Sequence, residues 1–181
     1  MPLGDCLRTD LHWWIDNIAS SLNNIKIDKY DIEIFTDASL TGWGACCGTQ
    51  KTHGYWSDLD KTRHINYLEL LAIFYGIKCY AYDLPTGNVL IRCDNTTAIS
   101  YINRMGSVRF PALCSLAKEI WQWCERNNIW LFASYISSEN NSDADKESRR
   151  LCDETEWSLS QDAFDKIKFQ LDSSRDRPLC D

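Results

Sequence analysis

Four acidic residues interrupt apolar segments of this 181-residue chain. Asp37 and Asp94 follow the apolar runs IEIFT and VLIRC, Glu69 lies inside the apolar stretch NYLELLA, and Asp145 lies in DADKES. An isolated buried carboxylate costs several kcal/mol unless it is protonated, paired with a cation or bound to a metal. Four such placements suggest that these carboxylates meet at one site.

A site built from carboxylates alone favours divalent metal chemistry. Converging carboxylates repel one another unless cations neutralise them, and Mg²⁺ or Mn²⁺ prefers oxygen ligands. Two such ions about 3.5–4 Å apart can activate a water molecule and stabilise the leaving oxygen of a phosphoryl displacement. Each acid also has a simpler interpretation. A strand-terminal aspartate is often a turn or cap residue, and Glu69 could pair with Arg63 or His64.

The elements that would position these acids follow the order βββαβααβα, typical of an α/β fold with a five-stranded mixed sheet and flanking helices. The apolar run 88–94 predicts a central strand with a parallel neighbour, which places Asp37 and Asp94 at one sheet edge. The helix at 64–82 would present Glu69 over that edge. The predicted strands are 31–39, 41–48, 53–57, 88–94 and 129–137. The predicted helices are 8–23 with Asp10 as N-cap, 64–82, 95–105, 111–128 and 142–150 with Ser142 or Asp143 as cap.

We therefore divide the chain into three parts: an N-terminal helical connection at 1–30, a core at 31–150, and an acidic tail at 151–181 with a short amphipathic helix. The net charge of −7 argues against a nucleic-acid partner when taken alone. However, the core carries fourteen acids against twelve bases, so most of the excess acidity lies in the tail.

Nine scattered cysteines form no CxxC pair or zinc-type cluster, which predicts reduced thiols. No apolar run reaches the length of a membrane span, and the first residues lack a signal-peptide pattern. We expect an intracellular protein of a reducing compartment, the cytoplasm or nucleus, with no membrane partner.

The core resembles the type 1 ribonuclease H domain, in particular the copy that follows reverse transcriptase in retroelements. The stretches that carry the resemblance are IFTDASLTGWGA, GYWS, HINYLELLAIFYGIK, VLIRCDNTTAISYINRMGS and ENNSDADKESRR. The sequences HINYLELLA and DNTTAISYINR are most similar to those of DIRS-type tyrosine-recombinase retrotransposons.

The resemblance implies a ribonuclease H-like fold and Mg²⁺-dependent hydrolysis of the RNA strand of RNA–DNA hybrids, leaving 3′-hydroxyl and 5′-phosphate ends. It assigns catalysis and metal binding to Asp37, Glu69, Asp94 and Asp145. Asp37 would bridge two Mg²⁺ ions, for which Mn²⁺ can substitute. Glu69 and Asp94 would share one ion, and Asp145 would bind the other.

The resemblance also implies contacts with the hybrid. Asn66 matches a position that touches the minor groove, and Ser39 lies near the backbone path; both contacts suit recognition by shape and 2′-hydroxyls. Arg104 and Arg149 are expected to bind nucleic acid. An adjacent reverse transcriptase domain is the expected protein partner, and the sequence leaves the oligomeric state open.

Two departures from the family pattern weaken the expected activity. The family often has a histidine ten residues before the last aspartate, and here Tyr135 stands in its place. A phenol is a poorer proton acceptor than imidazole at neutral pH, and Tyr135 could equally be a core aromatic. The Lys/Arg-rich helix of free-standing members is also missing. Phosphate contacts would then rest on scattered bases: Arg104, Arg109, Lys146, Arg149 and Arg150.

Two alternative functions remain open at this stage. The chain could be a catalytically weak or inactive retroelement-derived domain that binds nucleic acid or a protein partner. It could also be an integrase-like DNA-cleaving enzyme on a related fold, although such enzymes place their acids differently.

Overall fold

The computed structural model describes residues 5–19 and 29–150. Within these residues five strands and five α-helices alternate with two short 3₁₀ turns, at Asp60–Thr62 and Ser138–Asn141. The strands are β1 (Ile32–Ala38), β2 (Gly42–Cys47), β3 (Gln50–Tyr55), β4 (Gly87–Cys93) and β5 (Ile129–Tyr135). The helices are α1 (Asp5–Asn17), α2 (Ile65–Tyr80), α3 (Thr96–Asn103), α4 (Pro111–Arg126) and α5 (Ser142–Ser148).

The five strands form one mixed sheet in the order β3-β2-β1-β4-β5. β1, β2 and β3 pair as an antiparallel meander, whereas β4 pairs in parallel with both β1 and β5. The sheet confirms the predicted α/β fold class and the parallel neighbour of the apolar run at 88–94. β4 lies inside the sheet and its residues Val89–Ile91 are buried, which accounts for the continuous apolar run there.

Helices cover both faces of this sheet. A Cβ added at Gly76 of α2 would lie 3.4 Å from the side chain of Ala45, whereas one added at Gly44 would lie 2.3 Å from the carbonyl oxygen of Ala144 in α5. Neighbouring residues of a strand point to opposite faces, so α2 and α5 lie on opposite sides of β2. α2 also contacts α3 and α4, which explains why it is apolar nearly all round.

Element boundaries differ from the predicted ones by three residues or more in α1 and β3. α1 begins at Asp5, so Asp10 lies inside the helix and its prediction as N-cap is wrong. The helix ends at Asn17, whose Nδ2 donates to the carbonyl of Trp13, rather than at residue 23. β3 begins at Gln50 because a two-residue turn with Gly48 at φ +57° pairs Cys47 with Gln50.

The N-cap of α5 also differs from the prediction. It is Asn141, the last residue of the 3₁₀ turn, so the prediction of Ser142 or Asp143 as cap is wrong. Both residues lie within the first turn of the helix. The predicted helix start at residue 142 agrees with the structure, whereas the 3₁₀ turn that leads into it was not predicted.

The six cysteines with described side chains are free thiols: Cys46, Cys47, Cys79, Cys93, Cys114 and Cys124. No helix in the described ranges is long and apolar enough to cross a bilayer. The predicted tail at 151–181 and residues 20–28 lie outside the described residues, so the predicted domain boundaries stay predictions.

Candidate active site

Asp37, Glu69 and Asp94 converge at one edge of the sheet. Asp37 is the penultimate residue of β1, and Asp94 directly follows β4, its parallel neighbour. Carboxyl ends of parallel strands meet at the same edge, and α2 brings Glu69 to that edge. One carboxylate oxygen from each residue lies within 4.8 Å of the others. The structure thus brings together three of the four predicted acids.

Burial and mutual repulsion raise the pKa values of two of these carboxyls. Burial is the main cause that raises the pKa of Asp37 to about 6, and the charges of Asp94 and Asp145 raise it further. Burial and the charges of Asp37 and Asp94 raise the pKa of Glu69 to about 9. Asp37 is 5% exposed and Glu69 is 6% exposed, whereas Asp94 is half-buried. A cation bound among these carboxylates would therefore stabilise their ionised forms.

One oxygen of Glu69 has a partner and the other does not. The backbone N–H of Ala38 donates to the carboxylate, whereas Oε2 is buried without a hydrogen-bond partner among the described residues. Neither predicted cation pairs with it. The guanidinium of Arg63 lies over the ring of Tyr67, 5.0 Å from its centroid, and His64 accepts from the backbone N–H of Asn66. The interpretation of Glu69 as an ion-paired residue is therefore wrong.

Asp145 lies beside this cluster on α5 but is not one of the three converging ligands. Its Oδ1 accepts a hydrogen bond from Nε of Arg149 at 2.7 Å, and the two residues form an ion pair. Its charge still contributes to the raised pKa of Asp37, so the two carboxylates are electrostatic neighbours. Arg149, predicted to bind nucleic acid, is an exposed residue engaged with Asp145.

Two serines that the sequence did not single out donate to the clustered carboxylates. Ser148 of α5 donates through Oγ to Oδ2 of Asp37 at 2.6 Å, and Ser138 donates through Oγ to Oδ2 of Asp94 at 2.6 Å. Ser148 is fully buried, whereas Ser138 is exposed. The local sequence does not indicate either hydrogen bond, because each one depends on how the segment 138–148 packs against the sheet.

The predicted nucleic-acid residues fall into different environments. Ser39 is buried, and its hydroxyl donates to the carbonyl of Ser148 at 2.5 Å, so it fastens α5. The predicted contact of Ser39 with nucleic acid stays a prediction. Asn66 accepts from Nδ2 of Asn95 at 3.0 Å, next to Asp94. Arg104 is exposed at the C-terminal end of α3.

Tyr135 is exposed at the end of β5. Its side chain is 56% exposed, and its backbone lies opposite Cys93, one residue before Asp94. The interpretation of Tyr135 as a core aromatic is therefore wrong. Tyr135 ends β5 at the same edge of the sheet as Asp94, and its role as a catalytic-loop residue stays a prediction.

An apolar groove of about 520 Å³ runs beside Asn66. Tyr67 and Phe110 contribute aromatic rings to its lining, and each ring is covered by a guanidinium, from Arg63 and Arg109 respectively. A flat apolar wall flanked by cations suits a sugar–phosphate chain with stacked bases.

No protein-family model matches the chain, and no curated protein does. Solved structures do resemble it. The chain is 17% identical to LC11-RNase H1 from compost, in its complex with an RNA/DNA hybrid, over 65% of this chain and 93% of that one, with a TM-score of 0.56. It is 15% identical to RNase H1 of the halophilic archaeon Halobacterium salinarum, over 64% and 92% of the two chains, with a TM-score of 0.51.

The sheet order, the helices on both faces and these likenesses define the class of the protein. The chain is an α/β protein with the ribonuclease H-like fold, and its three converging carboxylates lie at the carboxyl ends of two parallel strands.

Proposed function

We propose that this chain is a metal-dependent endonuclease that hydrolyses the RNA strand of RNA–DNA hybrids. The observation that carries the proposal is the convergence of Asp37, Glu69 and Asp94 within 4.8 Å on a ribonuclease H-like fold. The hybrid bound in the structure of LC11-RNase H1 supports this substrate class.

The residues present fit a hard divalent cation. The converging ligand atoms are all carboxylate oxygens, which are the ligands that such cations prefer. Oε2 of Glu69 is buried without a hydrogen-bond partner among the described residues, and a buried acceptor left unpaired costs about 1–3 kcal/mol. A bound cation would remove that cost. Asp37, Glu69 and Asp94 would hold one Mg²⁺, and Asp145 with Asp37 a second, with Mn²⁺ as substitute. The ions would supply a water activated for attack and would stabilise charge on the leaving oxygen.

The protein groups would position the substrate and the acids. Asn66 and Asn95 lie next to Asp94, and the groove of Tyr67 and Phe110 offers a surface for the sugar–phosphate backbone. Arg104 and Arg109 are exposed, so they are available to phosphates. Recognition through grooves and backbone suits cleavage with little sequence preference.

The biological setting belongs to the same proposal. The core resembles the ribonuclease H copies of retroelements, and its helix sequences resemble those of DIRS-type elements. Both resemblances support a role in reverse transcription beside a reverse transcriptase domain. The scattered cysteines support a reducing compartment, the cytoplasm or nucleus.

Incubation of the full chain with a hybrid labelled on its RNA strand, in Mg²⁺ or Mn²⁺, tests the activity. We expect RNA fragments with 3′-hydroxyl ends from the wild type and none from Asp94→Asn. Duplex DNA and duplex RNA serve as control substrates. Cleavage that survives Asp94→Asn, or hybrid binding without cleavage at high enzyme concentration, would overturn the catalytic proposal; the second result would favour a binding domain.

A further inference from the structure

Ser148 is a fully buried serine whose side chain faces a carboxylate of the site. Its Oγ lies 2.6 Å from Oδ2 of Asp37 and 2.9 Å from the carbonyl oxygen of Asp145. A hydroxyl has one proton to donate, and the charged acceptor draws it more strongly, so the hydrogen bond to Asp37 is the principal one. The serine thus connects the acid of β1 to the helix that carries Asp145.

The backbone around Ser148 is fixed as firmly as its side chain. Ser39, two residues after Asp37, donates through Oγ to the carbonyl of Ser148. At the other end of α5, Nδ2 of Asn141 donates to the carbonyl of Thr36, one residue before Asp37. Hydrogen bonds therefore join the chain on both sides of Asp37 to the segment 141–148. Of the three side chains involved, Ser148 is the one that donates to the Asp37 carboxylate.

We propose that Ser148 is a positioning residue for metal binding: its hydroxyl holds one oxygen of Asp37 so that the other oxygen is presented to the cations. The inference rests on the proposed function and adds a residue to it. Partners that orient the ligands of a metal typically change metal affinity or activity by 10–100-fold when removed.

Burial distinguishes Ser148 from Ser138, which donates to Asp94. Ser138 is exposed, so water can take its place beside that carboxylate. Ser148 is 0% exposed, and β2 lies against the helix backbone there, since a Cβ on Gly44 would come within 2.5 Å of the backbone nitrogen of Ser148. Water has no access to replace the lost donor, so removal of the Ser148 hydroxyl leaves the Asp37 oxygen unpaired.

The test compares the full-length wild type with Ser148→Ala, Ser148→Cys and Ser142→Ala. Ser142 is an exposed serine in the first turn of the same helix and gives a matched control. Three quantities are measured: Mn²⁺ affinity by calorimetry, the thermal midpoint without metal, and kcat and KM on a labelled hybrid.

For Ser148→Ala we expect a roughly 10–100-fold loss of Mn²⁺ affinity and a lower kcat, with KM for the hybrid unchanged within about twofold. Ser148→Cys, whose thiol is somewhat larger than the hydroxyl but keeps a weak donor, should recover part of the affinity, and Ser142→Ala should match the wild type. If Ser148→Ala fails to fold, the Mn²⁺ affinity and kcat of Ser148→Cys test the inference in its place.

Two results overturn the inference. Mn²⁺ affinity and kcat within about twofold of wild type in folded Ser148→Ala would show that the hydroxyl is structural only, while the proposed function stands. Equal losses in Ser148→Ala and Ser148→Cys that follow the fall in thermal midpoint would show the same. A wild type that neither binds Mn²⁺ nor cleaves hybrid would instead overturn the proposed function, and the inference with it.

Discussion

The guanidinium of Arg149, the C-cap residue of α5, donates through Nε to Oδ1 of Asp145 at 2.7 Å. This ion pair gives the fourth predicted acid a cation of its own, while Asp37, Glu69 and Asp94 face one another. A metal ion held by Asp145, as the proposed function requires, would compete with the guanidinium of Arg149. The arginine therefore affects the site through charge, independently of any contact with a phosphate.

We expect Arg149→Gln to lower the Mn²⁺ concentration that gives half-maximal cleavage by roughly twofold to fivefold, since an exposed ion pair is worth about 0.2–1 kcal/mol. The measurement is the initial rate on hybrid across a Mn²⁺ titration. Arg126→Gln, at the exposed end of α4, is the matched control. A higher Mn²⁺ requirement in Arg149→Gln would show that the arginine orients Asp145 rather than competes for it.

Without metal, we expect the protein to lose stability as pH rises from about 4 to 9. The pKa values of Asp37 and Glu69 are raised to about 6 and about 9, so the folded state keeps protons that the unfolded chain has released. The unfolding free energy therefore falls with increasing pH in this window. A tenfold change in proton affinity corresponds to about 1.4 kcal/mol. Between pH 5 and pH 8, Glu69 accounts for about 4 kcal/mol and Asp37 for about 1 kcal/mol, so the total loss should be on the order of 5 kcal/mol.

Thermal melts at pH 5 and pH 8, with and without Mn²⁺, measure this effect. The stabilisation by Mn²⁺ should be larger at pH 8, because the ion binds the ionised carboxylates. Glu69→Gln should raise the metal-free midpoint at pH 8 and reduce the response to Mn²⁺. The prediction fails if the metal-free wild type is equally stable at both pH values.

Gly44→Ala should separate α5 from the sheet. The added Cβ would lie 2.3 Å from the carbonyl oxygen of Ala144 and 2.5 Å from the backbone nitrogen of Ser148, so the helix has to move. We expect a loss of about 1–3 kcal/mol in unfolding free energy, together with a large fall in kcat, because Asp145 and Ser148 move with α5.

Gly48→Ala is the control for that variant. Gly48 has φ +57° and open space around its Cβ position, so alanine costs about 1 kcal/mol there without touching α5. Denaturant unfolding and hybrid cleavage compare the two variants. A Gly44→Ala protein that is destabilised but keeps wild-type kcat would show that the position of α5 does not matter to the site.

Tyr135→His should increase the cleavage rate roughly tenfold near neutral pH, since a positioned imidazole can transfer protons where a phenol cannot. The exposed side chain at the end of β5 leaves space for the change. Tyr135→Phe removes the hydroxyl but keeps the ring, and it should cleave at the wild-type rate. A histidine variant no faster than the phenylalanine variant would exclude a proton-transfer role at this position.

The sequence was sufficient to predict the parts of the site that follow from local pattern and strand order. Asp37 and Asp94 end neighbouring parallel strands, and Glu69 stands out in an apolar helix, so their convergence could be expected from residues alone. The pairing of Asp145 with Arg149 also follows from a spacing of four residues on a predicted helix, although the sequence predicted Arg149 as a nucleic-acid contact.

The contacts of α5 with the sheet could not be predicted in the same way. Ser148 is one polar residue among many near the end of the core, and nothing in its local pattern indicates burial. Its contact with Asp37 depends on Gly44, which admits the helix backbone close to β2, and on the 3₁₀ turn that ends at Asn141. Such features depend on tertiary packing and become visible only with coordinates.

The hydrogen bond between Ser148 and Asp37 closes a loop of 111 residues. During synthesis, Asp37, Glu69 and Asp94 leave the ribosome well before Ser148, and a contact across such a separation forms late because chain entropy opposes it. The order of synthesis therefore delays the contact between Ser148 and Asp37. We expect a nascent chain to complete its sheet and α4 while its acids still lack α5, and to become competent for cleavage only when the last element of the core docks.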